Sequence, residues 1–334
     1  MLDEPSLWVL IAVIVLALGF GIVNGFNDAA NAVAASIGSR ALSPRNAILL
    51  AAFFNLAGAA SGTAVAKTIG KGILVPDAVS FQTVIAALVA VIIWTSFATY
   101  RGLPVSLTHG FIAAMAAAGV AAAGSNAVNW GKLGTVAAAI FTAPVLGFIG
   151  GFIIMLIVLW LFRRWIPTKV QNLFSRLQWL TTAFLAYSHG KNDGQMPIGI
   201  ITMAFVLYTG QTGAWDSIPW WIIVISALSI SFGTAVGGWR VIKTLGMRVT
   251  TLRPVHGFVS DFSAAAVIEG ASHLGIPVST THCASSSIMG VGATRRLSAV
   301  RWGVASDILA AWVITFPVCG GLGYLLSWLI GAFS

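Results

Sequence analysis

Two short stretches carry most of the polar chemistry in an otherwise apolar chain. "GFNDAANAV" runs from Gly25 to Val33 and "GKNDGQMPI" from Gly190 to Ile198, each placing an Asn–Asp pair inside a segment that reads as a membrane span. An aspartate at that depth costs roughly 2.5–3.5 kcal/mol on insertion scales, so its presence points to a function. Asn27–Asp28 and Asn192–Asp193 each set a carboxylate beside an amide carbonyl. A hard cation such as Na+ takes oxygen ligands of this kind, and a protonatable carboxylate serves equally if the ion is H+. Asn31 follows Asp28 at i+3 on the same helical face, and Gln195 adds an amide near the second pair. The bland alternative is that these groups only hydrogen-bond helices together. It fits one such pair as well as a cation site does, and fits two matched pairs less well.

A second motif suits the opposite charge. "GLPVSLTH" (Gly102–His109) returns as "GIPVSTTH" (Gly275–His282), identical at six of eight positions. Gly followed by Pro reads as a turn leading into a helix, which places Ser106, Thr108 and His109 in its opening turns. Ser279, Thr280, Thr281 and His282 occupy the same turns of the second copy. A helix N-terminus offers free N–H groups and a positive dipole end, so an anion fits there, and hydroxyls add donors without charge. Plain helix capping is the alternative. His109 and His282 either donate to the anion or find a neighbouring carbonyl, and His189 is open in the same way.

Other polar residues are less specific. His256 and His273 lie near membrane edges and read as structural. Asp261 and Glu269 precede the second P-V-S motif by one span without an acidic counterpart in the first half; proton coupling and pairing with basic residues both fit. Lys191 either neutralises Asp193 or attracts an anion, and Asp307 reads as a helix-start residue.

These residues need long apolar elements to hold them. Of 334 residues 58% are apolar and only 8% charged, and the mean hydropathy of +0.92 leaves too little charge to cover a soluble protein of this size. Segments such as Leu7–Phe26, Ala47–Ala66, Thr135–Phe162 and Ile308–Phe333 are long enough to cross ~30 Å of hydrocarbon. Asp3 and Glu4 stand where a signal peptide would carry basic residues, so no cleavable leader is expected. Cys283 and Cys319 lie in apolar context and suggest neither a disulfide framework nor a metal site.

The net charge of +9 sets orientation rather than recruiting nucleic acid. Threading the chain from an outside N-terminus through ten crossings puts all eighteen Lys and Arg inside except Lys67, Lys71, Lys132 and Lys191. Both termini are then outside. "GTAV" at Gly62–Val65 returns at Gly233–Val236, and "IFTAP" ending at Pro144 is echoed by "VITFP" ending at Pro317. With the two motifs above, four pairs recur in the same order and at a nearly constant offset, about half the chain. The expected fold is therefore an all-α polytopic membrane protein made of two inverted-topology repeats of about five spans each. The repeats are residues 1–162 and 177–334, joined by a short basic cytoplasmic linker at 163–176, and twelve segments would fit the same logic. Inverted repeats place their sites where broken helices meet near the midplane. Leu7–Ser39 is too long for an untilted crossing and is expected to break near Gly21–Gly25, and Leu177–Leu207 to break near Gly190–Gly194.

At these residues the chain resembles the PiT family of inorganic phosphate transporters, whose inverted halves each carry G-x-N-D followed by P-V-S-x-T-H. The resemblance covers Gly21 to about Pro317. It implies secondary transport of phosphate across the cell membrane by symport with H+ or Na+, either as the free anion or as a metal–phosphate complex. Carried over by motif, Asn27, Asp28, Asn192 and Asp193 would hold the cation; Ser106, Thr108, Ser279, Thr280 and Thr281 would hold the anion. The "NDGQ" of the second motif looks like that of the proton-coupled bacterial branch, and the short central segment suits bacterial members.

A sulfate:cation symporter on the same scaffold is the runner-up. An intramembrane hydrolase is remote, because no G-x-S-x-G elbow is present. A channel could use the same lining, but opposed repeats suit alternating access better. No G-x-x-x-x-G-K-[ST] motif suggests ATP-driven pumping. No cofactor is expected beyond the coupling ion and no further metal site; the partners are phosphate, that cation and the lipid bilayer, and a homodimer is compatible.

Overall fold

The computed structural model describes residues 6–333; the expectations for Asp3 and Glu4 lie outside the described residues. Among the described residues thirteen α-helices follow one another, and the only β pairing is an isolated Leu74–Val128 bridge. The first half comprises α1 (Leu7–Gly38), α2 (Pro44–Ala60), α3 (Ala64–Gly72), α4 (Phe81–Arg101), α5 (Leu107–Ala123) and α6 (Trp130–Leu161). The second comprises α7 (Pro167–Asp193), α8 (Gln195–Thr209), α9 (Trp220–Val236), α10 (Trp239–Lys243), α11 (Pro254–His273), α12 (Thr280–Ala293) and α13 (Trp302–Phe333).

Local chemistry sets the ends. Ser6 and Ser43 cap α1 and α2 by accepting from Val9 N and Asn46 N, and Ser80 and Thr83 form a capping box on α4. Gly102 and Gly275 turn the chain with φ of +74° and +67°, a region that L side chains avoid, and this lets α5 and α12 start inside the protein. The long helices α6 and α13 each run 32 residues through an internal proline, Pro144 and Pro317.

Side-chain exposure suits a lipid solvent. Large apolar residues such as Phe53, Phe141, Leu180, Phe232 and Val313 face outward, while Trp8, Trp130, Trp220 and Trp302 are exposed at helix starts, where amphipathic rings sit at headgroup depth. By length and composition α1, α4, α6 and α13 can each cross a membrane, and the count reaches six if two bent pairs are included. Those pairs, α2–α3 bent by 67° and α9–α10 with the following π-turn bent by 60°, arise where single straight spans were expected.

Two other expectations change. The break in α1 near Gly21–Gly25 does not occur; α1 is one 32-residue helix, about 48 Å long. Its Gly25 instead allows close approach, because a Cβ there would collide with the Ile230 carbonyl of α9, and across the same crossing Gly233 faces the Ile22 carbonyl. The second long segment is interrupted only at Gly194, and α7 starts at Pro167, so most of the 163–176 linker is helical. Gly233→Val should overpack this α1–α9 crossing at a cost of about 1–3 kcal/mol. A thermal-melting midpoint in detergent equal to the parent's would refute that close approach.

The packing exchanges the halves: α1 lies on α9 as α7 lies on α2, and α5 lies on α13 as α12 lies on α6. The two Asn–Asp helices are thereby brought against the buried starts of α5 and α12.

Candidate functional site

Asp28 on α1 and Asp193 at the end of α7 are both buried, and they converge on His189. His189 Nε2 lies 3.3 Å from Asp193 Oδ2 and 3.9 Å from Asp28 Oδ2. One ligand atom from each of the three residues falls within 4.8 Å of the others, close enough for one cation to touch all three.

The tautomer of His189 follows from a chain of hydrogen bonds. Thr234 Oγ1 donates to Ile230 O, and Asn55 Nδ2 donates to Thr234 Oγ1 at 2.8 Å. Asn55 Oδ1 is then aimed at His189 Nδ1, 2.7 Å away, which must supply the N–H. Nε2 is left facing two carboxylates. A bare lone pair facing two carboxylates would be repelled, so the geometry calls for a proton or a cation there: a proton on Nε2 or on one of the carboxylates, or a cation among the three groups.

The start of α5 and of α12 close over the acids. Thr108 Oγ1 donates to Asp193 Oδ1 at 3.2 Å, and Thr280 Oγ1 to Asp193 Oδ2 at 2.8 Å. Thr281 Oγ1 lies 3.1 Å from Asp28 Oδ1 and 3.0 Å from Val105 O. Asn31 Nδ2 donates to Thr281 Oγ1 at 2.8 Å. The expected cation and anion groups are thus interleaved in one cluster, with each half's aspartate bound by a threonine of the other half.

Several contacts recur at corresponding places in the two halves. Asn27 Nδ2 donates to Thr99 Oγ1 at 2.6 Å, while Asn192, its counterpart in the second Asn–Asp pair, meets Ser272 Oγ at 2.9 Å. Thr99 and Ser272 each stand three residues before the glycine that opens a P-V-S motif. With its amide turned to satisfy both ends, Asn192 also donates to Val278 O at 3.0 Å and to Asp193 Oδ1 at 3.1 Å. Thr108 touches Met196 Sδ at 3.4 Å where Thr281 meets Asn31, so Met196 stands in for Asn31.

Other expected residues have different tasks. Gln195 does not face the cluster: its Oε1 accepts from Val65 N and Ala66 N and so caps α3. Ser106 and Ser279 accept from His109 N and His282 N, the capping role. His109 and His282 sit edge to face 4.8 Å apart, and His282 stacks on Trp312 at 3.7 Å. Asp261 accepts from Thr182 Oγ1 at 3.0 Å, away from these groups, and Lys191 pairs with Glu269 rather than Asp193. His256 Nδ1 accepts from Arg253 N, a helix-start contact.

Asn24 was missed by the sequence reading. It is fully buried, and its amide atoms have no hydrogen-bond partner; Asn27 Oδ1 and Asn31 Oδ1 are in the same condition. Residues 24, 27, 28 and 31 fall on one helical face, so α1 presents three donor-free amide oxygens beside a carboxylate. The i, i+4, i+7 spacing of Asn24, Asp28 and Asn31 was the available signal.

Comparison with known proteins supplies the rest. The chain is 42% identical over 322 residues to a "probable low-affinity inorganic phosphate transporter" of Bacillus subtilis, spanning 96% of each chain. It is 41% identical to a protein of the same description from Rhizobium meliloti, spanning 92% of each. A solved structure described as the sodium-dependent phosphate transporter superposes with a TM-score of 0.90 at 28% identity, covering 98% of this chain and 100% of that one. Phosphate, not the sulfate of the runner-up expectation, is the substrate these descriptions share. The description of the phosphate transporter family matches residues 24–323, nearly the whole length that holds the paired acids and the two buried helix starts, and the chain belongs to that family.

Proposed function

We propose that the protein imports inorganic phosphate across the cell membrane by symport with a cation, through alternating access of two inverted repeats around the Asp28–His189–Asp193 cluster. The observation that carries this reading is His189 Nε2 set between two buried carboxylates and roofed by the hydroxyls of two helix N-termini. Phosphate takes the N–H groups and threonine hydroxyls at the starts of α5 and α12, which favour an anion. A protonated phosphate oxygen also donates to a nearby carboxylate. Sulfate carries no such proton at neutral pH, and a buried acceptor left without a donor discriminates against it.

The coupling ion is a proton held on His189 Nε2. Sodium is the second reading, favoured by the donor-free amide oxygens of Asn24, Asn27 and Asn31 and by the name of the sodium-dependent structural relative. Neither ligand binds well alone, because each would leave uncompensated charge at depth. Both termini lie outside, as the positions of the basic residues suggest.

Radiolabelled phosphate uptake into proteoliposomes tests the reading, with a pH gradient or a Na+ gradient imposed separately and unlabelled sulfate as competitor. Uptake stimulated by at least one of the two gradients and indifferent to sulfate is expected. Uptake that neither gradient stimulates, or that sulfate abolishes, would overturn it.

A further inference from the structure

A cavity of about 600 Å³ opens beside the Asn27–Thr99 contact, lined by Phe26, Ser96, Thr99, Tyr100, Gly238 and Arg240 among others. Moved from the first repeat to the second, Phe26 becomes Lys191, Ser96 becomes Glu269 and Thr99 becomes Ser272. At that second place the structure holds an ion pair. Lys191 Nζ and Glu269 Oε1 are in direct contact, with side chains only 16% and 28% exposed, and Tyr187 lies beneath the ammonium at 6.0 Å. Next to this pair the buried Asn192 meets Ser272, three residues past Glu269, the counterpart of the contact that borders the open cavity.

We propose that Lys191 and Glu269 form a charged latch over the vestibule opposite the open cavity, and that Lys191 exchanges Glu269 for the incoming phosphate when the latch opens. A half-buried ammonium strongly disfavours losing its counter-charge. The empty carrier therefore holds this vestibule shut, and an anion that replaces the carboxylate removes the penalty for opening it. Lys191 and Asp193 share the last turn of α7 on different faces, so an anion received at Lys191 is at about the depth of the central cluster. Glu269 Oε2 is buried without a hydrogen-bond partner, so the carboxylate is held through its other oxygen alone and can leave without breaking a wider network. The inference rests on the alternating-access reading above, which places this vestibule on the outer side.

The test uses the full chain in intact cells, with Cys283 and Cys319 replaced by alanine and Ser188→Cys as reporter. Ser188 is fully buried on α7, one turn before Lys191. An impermeant sulfonate-bearing methanethiosulfonate is added outside. Glu269→Gln and Lys191→Met should each raise the labelling rate about fivefold or more, as expected of a population shifted towards the open state. The double exchange Lys191→Glu/Glu269→Lys should bring it back towards the parent. Lys191→Met should also raise the phosphate KM about fivefold, whereas Glu269→Gln should not. Unchanged labelling in both single variants, or no recovery in the double exchange, overturns the latch. An unchanged KM in Lys191→Met overturns the exchange of carboxylate for phosphate. A parent that labels as expected but takes up no phosphate overturns the transport reading and leaves the latch standing.

Discussion

Asp193→Asn should lower phosphate uptake about hundredfold or more while the protein still inserts and folds. The substitution keeps the shape and one acceptor oxygen, so the donors Thr108 Oγ1 and Thr280 Oγ1 are not both orphaned. What disappears is the negative charge 3.3 Å from His189 Nε2. A hydrogen bond to a charged group contributes ~1.5–3 kcal/mol, and two such bonds plus the ion contact converge on this carboxylate. Losing even ~3 kcal/mol of cation binding corresponds to about a hundredfold. Asp28→Asn should have the smaller effect, because Asp28 accepts from one threonine and lies 3.9 Å from His189. Initial uptake rates normalised to folded protein decide the point. Parental rates in both variants would remove the acids from the transport cycle, and a larger loss at Asp28 would reverse their proposed ranking.

How much of this could be read beforehand differs from residue to residue. Asp28, Asp193, Thr108, Thr280 and Thr281 were legible because buried charge and helix-start hydroxyls are scarce in an apolar chain, and their duplication set them apart from ordinary helix glue. Gln195 has the same polarity but caps α3, a task fixed by how α8 meets a helix far away in sequence, which no local spacing records. Asn192 and Asn27, expected as cation ligands, each tie their helix to the one preceding a P-V-S motif. The expected break in α1 rested on a length too great for an untilted crossing, with the glycines as its place. Glycine also permits backbone contact between helices, and Gly25 is used for that. The role of His189 depended on Asn55 and Thr234, from two other helices, orienting its ring. Composition thus located the polar residues that cluster, while the partners that orient them required tertiary contacts.

The two halves differ in donor chemistry around the paired acids, and that difference bears on the proposed choice of coupling ion. With the two Asn–Asp pairs aligned, His189 falls on Asn24 and Met196 on Asn31, so one half offers amide oxygens where the other offers an imidazole and a thioether. A thioether is a poor ligand for a hard cation. The amide oxygens of α1 are of the donor type that Na+ takes, and the α7 half carries the only imidazole in contact with both acids among the described residues.

His189→Asn, which installs at α7 the residue found at its α1 counterpart, should separate the two coupling ions. The variant keeps a polar group near Asn55 but removes the nitrogen that faces both carboxylates. Uptake driven by a pH gradient should fall about tenfold or more, since the shared proton has lost its holder and a general proton-transfer group of this type contributes at least that much. Na+-driven uptake should persist or rise, because a cation no longer competes with a proton on Nε2 for the same two negative charges. The measurement is paired initial rates in proteoliposomes under each gradient, with Asp193→Asn as the variant expected to lose both. Full pH-driven uptake in His189→Asn would take the proton off His189 and leave the acids and amide oxygens as the whole of the cation site. Equal loss under both gradients would make His189 a positioning group for Asp28 and Asp193, holding them at the separation a cation needs.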